Sequence, residues 1–317
     1  MNTDTDNQFE TVAVLGAGVI GESWTALYLA AGLRVKVFDI TDNVEARVDA
    51  YVRNAWPTLE QLGLTDSGDC RRISFHKSAS DAVQDAHFIQ ENVPEHIETK
   101  LALYREIEPE LSPNSIVASS ASGLMLKELQ RGWENPSRFI LGHPFNPPHL
   151  IPLVELLGND RTAEGVLDAA EKFYERVGKV TIRIKKEVPA HVANRLQAAL
   201  WKEAIHLVQS EVASVEDVDK AMWAGPGLRW AAMGPHMLFH LGAGSGGMRE
   251  FCSRYSDSFH RWWGSLGEVQ IDQNTIEELV NGIDDAAAGR NTDSLANERD
   301  ALILEFLKGR KQVLGSQ

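Results

Sequence analysis

A chain of 317 residues is longer than one compact core usually spans, so two domains are expected. Its 43% apolar and 24% charged residues are those of a globular protein, and a formal charge of −14 argues against nucleic acid or an anionic membrane as partner, since both are bound by clustered Lys and Arg. Cys70 and Cys252 lie far apart in sequence, which is neither a disulfide framework nor a metal-ligand cluster; no metal site is expected, and a reducing cytoplasm is the expected location.

The leading MNTDTDNQFE is polar and acidic without the basic-then-apolar pattern of a secretion signal, and its first nine residues are expected to be disordered. No 18 apolar residues run uninterrupted, so no membrane span is expected. Val12 to Leu15 then forms a short apolar strand running into Gly16-Ala17-Gly18-Val19-Ile20-Gly21, after which Trp24, Leu27 and Ala31 recur at helical spacing. A second strand, Val35 to Phe38, ends on Asp39. Strand, tight turn, helix and strand in this order are the context that makes a glycine pattern a dinucleotide-binding turn. Gly16 permits the turn, Gly18 admits a pyrophosphate close to the backbone, and Gly21 lets helix and strand pack closely. Asp39, 18 residues past Gly21, is placed to accept the ribose hydroxyls and to repel a 2′-phosphate, which favours NAD over NADP.

Thr41 is expected to cap a helix whose apolar stripe runs from Val44 to Leu62. Ile73 to Phe75 and His87 to Gln90 read as strands around a short helical stretch, Ser80 to Ala86, and Pro94 marks the start of the next helix. Further strands are expected at Ser115 to Ala118, Phe139 to Leu141, Leu153 to Leu157 and Lys179 to Ile184, with helices at Leu124 to Gln130 and Ala163 to Val177. This alternation implies an α/β fold, a Rossmann-type doubly wound and mostly parallel sheet. Beyond Ile184 only helical patterns occur: residues 191–213, a capping box at Ser214-Val215-Glu216-Asp217, a start at Pro235, Asn274 to Ala288, and Ser294 to Val313 with Leu295, Leu302, Phe306 and Val313 on one face. The domains are therefore expected at 1–188, binding NAD, and 189–317, an all-helical domain that takes substrate and dimerises.

Oxidising an alcohol with a nicotinamide requires a base near the hydroxyl, and an imidazole suits that task at neutral pH. His143 is the best placed of ten histidines, because it leaves a strand end and enters a proline-rich turn. Glu155, 12 residues later, can return beside it to orient the ring. Arg229 could meet a substrate carboxylate or form an ordinary ion pair. Trp230 belongs with Trp201, Trp223, Trp262 and Trp263 to a set that fits a packed core, a dimer interface or an aromatic cage for a quaternary ammonium group.

GAGVIG, ENVPE with Lys100, SSASGL, HPFNP followed by Glu155, and VPAHVANRL occur in that order, and together they resemble the 3-hydroxyacyl-CoA dehydrogenase family. The resemblance implies oxidation of L-3-hydroxy substrates by NAD in a homodimer, with His143 as base and Glu155 as its partner. It implies Ser122 and Asn194 as hydrogen-bonding residues near the substrate oxygen and the imidazole, and Glu95, Lys100 and Asn146 beside the nicotinamide half of the cofactor. Members acting on CoA thioesters carry a lysine-rich helix after the ribose-binding acid, whereas Val44 to Leu62 has no Lys. The second half resembles the branch acting on free 3-hydroxy acids, so a small-molecule 3-hydroxy acid is the expected partner. A structural protein that keeps the fold without turnover is the other class to consider; the intact set Ser122, His143, Glu155 and Asn194 argues against it.

Overall fold

The computed structural model describes residues 9–315. The chain divides into two compact units, Met1–Ala193 and Asn194–Gln317. In the first, eight strands alternate with helices: β1 (Thr11–Leu15), α1 (Val19–Ala30), β2 (Arg34–Phe38), α2 (Val44–Gln61), β3 (Ile73–Phe75), α3 (Ala79–Val83), β4 (Phe88–Glu91), α4 (Ile97–Ile107), β5 (Ile116–Ser119), α5 (Leu126–Leu129), β6 (Phe139–Pro144), β7 (Leu153–Leu157), α6 (Val166–Arg176) and β8 (Val180–Arg183). The sheet order is β3-β2-β1-β4-β5-β6-β7-β8, parallel throughout except where β7 meets β6. The chain thus winds outward from β1 to β3 and then crosses back to β4, and the expected doubly wound Rossmann-type sheet is the fold observed. Ligands in such sheets lie outside the carboxyl ends of the strands, where the winding reverses, here at β1 and β4.

The apolar runs explain the layering. β1 is buried along its whole length, and strand alternation sends Val12 and Val14 to one core with Trp24, Leu27, Val48 and Phe173. Ala13 and Leu15 go to the other, with Val83, Leu101, Tyr104 and Leu126. Of the nine residues expected to be disordered, 1–8 lie outside the described residues, whereas Phe9 is packed between Phe88 and Phe173.

Several local expectations are corrected. Thr41 does not cap α2; its hydroxyl and amide are donated to Asp39, and Asn43, left-handed at φ 62°, occupies the cap position. Pro94 stops short of α4, which starts at Ile97. α5 spans four residues only, and ahead of its body the Leu124 amide is given to Glu95 and the Leu126 amide to Glu187.

The second unit is helical: α7 (Ala193–Gln209), α8 (Val215–Ala224), α9 (Pro226–Ala232), α10 (Pro235–Gly242), α11 (Gly247–Trp263), α12 (Gln273–Ala287) and α13 (Thr292–Leu314). Ser214 caps α8 by accepting the Asp217 amide at 3.1 Å, as its sequence predicts. α7 starts two residues after His191 because Ala190 and His191 are both left-handed. The expected stripe of α13 is not a packed face: Leu304 is its buried residue, while Leu302, Phe306 and Val313 are more than half exposed. No helix among the described residues is long and apolar enough to cross a membrane.

Candidate active site

At the β1–α1 turn each glycine has a distinct reason to be there. Gly16 adopts φ +83°, and a Cβ on it would meet the backbone of Asn92 and Val93 at 2.8 Å. A Cβ on Gly21 would stand 1.9 Å from the Gly16 carbonyl oxygen, so α1 can leave the turn only with hydrogen at that position. Gly18 is different: nothing lies within 4 Å of its Cβ direction, and as N-cap of α1 it contributes no side-chain hydrogen bond. The helix start is thus an open cradle of backbone donors and positive dipole, which suits the pyrophosphate of a dinucleotide. Val19, 63% exposed, and Ile20 complete the turn, and Ala17 donates its amide to Asp39 Oδ2 at 2.6 Å.

Asp39 is therefore locked at the end of β2. Burial raises its pKa, but the Thr41 hydroxyl and amide, the Ala17 amide and the Arg47 charge outweigh this and hold the carboxyl below its usual range. Arg47 was not anticipated. It reaches back from α2 to the Ala17 carbonyl (2.6 Å), to Thr41 Oγ1 (3.1 Å) and to Glu22, bracing the turn from behind. Its position one turn into the helix after Asp39 was the available signal.

Beyond β4 and β5 a second polar group forms. Glu91, fully buried at the end of β4, accepts from Lys100 Nζ (2.5 Å), the Val93 amide (2.8 Å), Tyr104 Oη (2.7 Å) and Ser119 Oγ (2.6 Å). The Lys100 ammonium, 1% exposed, also donates to the Val93 carbonyl and so braces the Glu91–Val93 loop. Sequence reasoning missed the role of Glu91, an acid closing the buried strand β4. Glu95 and Ser122 are brought together: the Ser122 hydroxyl donates to Glu95 Oε2 at 2.8 Å, and the amides of Ser122, Gly123 and Leu124 donate to Oε1. Burial raises the Glu95 pKa, but the Gly123 amide, the Ser122 hydroxyl and the Leu124 and Ser122 amides bring it below the usual range. With its hydrogen given to Glu95, the Ser122 oxygen keeps lone pairs for an incoming donor.

The antiparallel register of β6 and β7 sets His143 directly opposite Glu155. His143 is 5% exposed and Glu155 fully buried, with His143 Nδ1 2.8 Å from Glu155 Oε2. Glu155 Oε1 accepts the amides of Val192 (2.9 Å) and Ala193 (3.0 Å). Burial raises the Glu155 pKa, but the His143 hydrogen bond, the two amides and the charge His143 can carry lower it overall. An ionised carboxylate only accepts, so Nδ1 carries the hydrogen and the neutral ring presents a basic Nε2. The pair can take a proton at Nε2 and stabilise the resulting charge.

Asn146 is exposed in the loop after β6. Asn194 is the first residue of the second unit, in the opening turn of α7. Arg229 is exposed and forms no ion pair among the described residues, and Trp230 is 38% exposed. Trp201, Trp223, Trp262 and Trp263 are 53–67% exposed, so these tryptophans do not fill a core.

The model of the 3-hydroxyacyl-CoA dehydrogenase NAD binding domain matches residues 11–188, and that of the 3-hydroxyacyl-CoA dehydrogenase C-terminal domain matches residues 191–275. The chain belongs to the 3-hydroxyacyl-CoA dehydrogenase family. It is an NAD-dependent oxidoreductase acting on a CH–OH group. Among its relatives is a Streptomyces coelicolor L-carnitine dehydrogenase, 42% identical over 94% of this chain and 93% of that one. A Pseudomonas putida L-carnitine dehydrogenase is 37% identical over 96% and 95%. Among solved structures, an NAD+-dependent 5-formyl-3-hydroxy-2-methylpyridine 4-carboxylic acid 5-dehydrogenase superimposes with TM-score 0.81 at 26% identity, covering 98% of this chain and all of that one. An Archaeoglobus fulgidus 3-hydroxyacyl-CoA dehydrogenase, at 24% identity and TM-score 0.66, shares the fold over 97% of this chain.

Proposed function

We propose that this family member oxidises L-carnitine to 3-dehydrocarnitine with NAD, using His143 as the base. The observation that carries the chemistry is the His143–Glu155 pair, and the substrate assignment is supported by the relatives named L-carnitine dehydrogenase at 37–42% identity along nearly the full chain.

When bound, the nicotinamide supplies the acceptor for a hydride. The residues of the chain do the rest. His143 Nε2 takes the hydroxyl proton as the C–H bond of the same carbon gives up its electron pair and the carbonyl forms; Glu155 holds the positive charge left on the ring until the proton is released to solvent. Ser122 and Asn194 keep the hydrogen-bonding roles near the substrate oxygen and the imidazole that the family resemblance implies. Gly16 to Gly21 and Asp39 hold the dinucleotide, with Glu95, Lys100 and Asn146 beside its nicotinamide half, as the family resemblance implies. Arg229 is assigned to the substrate carboxylate and Trp230 to its quaternary ammonium group.

Residues 1–188 are assigned as the NAD-binding domain and 189–317 as the helical substrate and dimerisation domain. The half-exposed tryptophans and leucines of the second unit support a homodimer, and two unpaired, exposed cysteines support a cytoplasmic location. The test of function is the growth of reduced-nicotinamide absorbance with NAD and, in turn, L-carnitine, L-gulonate, 3-hydroxybutyrate and 3-hydroxybutyryl-CoA. The highest kcat/KM is expected with L-carnitine; a higher value with another acid or the thioester reassigns the substrate, and no signal with any of them overturns the L-carnitine assignment.

A further inference from the structure

Two consecutive left-handed residues, Ala190 (φ 62°) and His191 (φ 52°), turn the chain between β8 and α7. Such backbone is unfavourable for L-residues and persists where surrounding contacts enforce it. Here it seats a ring. His191 is buried at 3% exposure, and its ring centroid lies 5.1 Å from that of His143 with the planes at 51°. Its Nε2 is 3.1 Å from the Ala121 carbonyl oxygen, which can only accept, so Nε2 carries the hydrogen and Nδ1 is a bare lone pair. That Nδ1 is buried without a hydrogen-bond partner among the described residues. A proton placed on it would be a buried donor with nothing to receive it.

The neighbouring bonds make this arrangement part of one frame. The residues after His191, Val192 and Ala193, give their amides to Glu155 Oε1, while Oε2 of the same carboxylate takes His143. Ala121, which holds the far side of the His191 ring, precedes Ser122. Three chain segments therefore meet on the base: β7 through Glu155, the turn after β5 through Ala121, and the left-handed link through His191.

We propose that His191 is a positioning residue for His143: a neutral imidazole, tied through Nε2–H to the Ala121 carbonyl, that lies against the base and fixes its ring relative to the turn carrying Ser122. The proposal rests on the reading of His143 as the base. With ring centroids 5.1 Å apart, His191 restrains His143 from rotating away from Glu155.

The test compares His191→Phe, His191→Gln and His191→Asn in the full chain, reading kcat, the dissociation constant for NAD, the solvent deuterium isotope effect on kcat and the melting temperature. Phe keeps a ring but loses the donor to Ala121; Gln keeps a donor at about the reach of Nε2; Asn tolerates left-handed backbone but falls short of Ala121. Expected for Phe and Asn is a kcat lower by about tenfold or more with a larger solvent isotope effect and NAD affinity within about twofold, and for Gln a recovery to within about threefold of the parent chain. If Phe fails to fold, Asn and Gln carry the comparison. A kcat near the parent value in Phe and Asn overturns the proposal, as does an equal loss of kcat, NAD affinity and melting temperature in all three. Failure of the base assignment is distinguished by His143→Gln: if that variant turns over normally, the proposed function falls whatever the His191 variants do.

Discussion

His143 and Glu155 are direct partners across the antiparallel β6–β7 ladder, with Nδ1 and Oε2 2.8 Å apart. The eleven residues between them leave one strand and return on its neighbour, so sheet register itself delivers the carboxylate to the imidazole.

Glu155→Gln tests what the carboxylate does. A Gln amide donating to Nδ1 would force the hydrogen onto Nε2 and remove the basic lone pair. Steady-state kcat is expected to fall by roughly 10²–10⁴-fold with NAD affinity nearly unchanged. Since Glu155 is held below the usual carboxylate range, its contribution to stability is present above that range and is lost as acid protonates it. The variant should accordingly show a shallower loss of stability between about pH 5 and pH 3 than the parent.

Gly18 and Gly21 should respond oppositely to the same added methyl group. Gly18→Ala meets nothing in the protein, so its melting temperature is expected to stay within about 2 °C while NAD affinity falls about tenfold or more. Gly21→Ala meets the Gly16 carbonyl at 1.9 Å and is expected to lower the melting temperature itself. Calorimetric binding and thermal melts of the two variants check this; normal NAD affinity in Gly18→Ala would remove the pyrophosphate from the turn.

Lys179 makes a pH prediction. It is 5% exposed, its Nζ donates to the carbonyls of Pro148 and Ile151 at 2.6 Å each, and it lies 5.0 Å from the Trp24 ring centroid with no carboxylate partner among the described residues. Burial pushes its pKa from 10.5 down to about 7. From about pH 7 to about pH 10 the unfolded chain then holds more protons at this residue than the folded one, so its effect on stability becomes more favourable as pH rises, by up to about 1.4 kcal/mol per unit. Chemical denaturation of the parent chain and Lys179→Met across that window should give a stability difference that moves in favour of the parent as pH rises; a constant difference would contradict the assignment.

The parts of this molecule legible in sequence were those decided locally. Apolar strands, the glycine turn and Asp39 follow from periodicity and from what a Cβ would strike, and residues within the helical half follow from 3.6-residue spacing. What sequence could not settle was decided by distant partners. Thr41 looks like a cap but gives its hydroxyl to Asp39, and nothing local tells that Lys100 is buried against Glu91 at the end of β4. His191 lies in the VPAHVANRL stretch and Lys179 opens a strand, yet their settings are decided by distant groups, the Ala121 carbonyl for one and two carbonyls in the loop after β6 for the other. The exposed side of α13 shows the converse, an amphipathic stripe that need not be a packed one.

The most direct test of the account is His143→Gln assayed for NAD reduction with L-carnitine alongside NAD binding. Turnover lower by roughly 10³-fold or more, with binding of NAD intact, is the predicted result. Turnover close to that of the parent chain would take the imidazole out of the chemistry and contradict it.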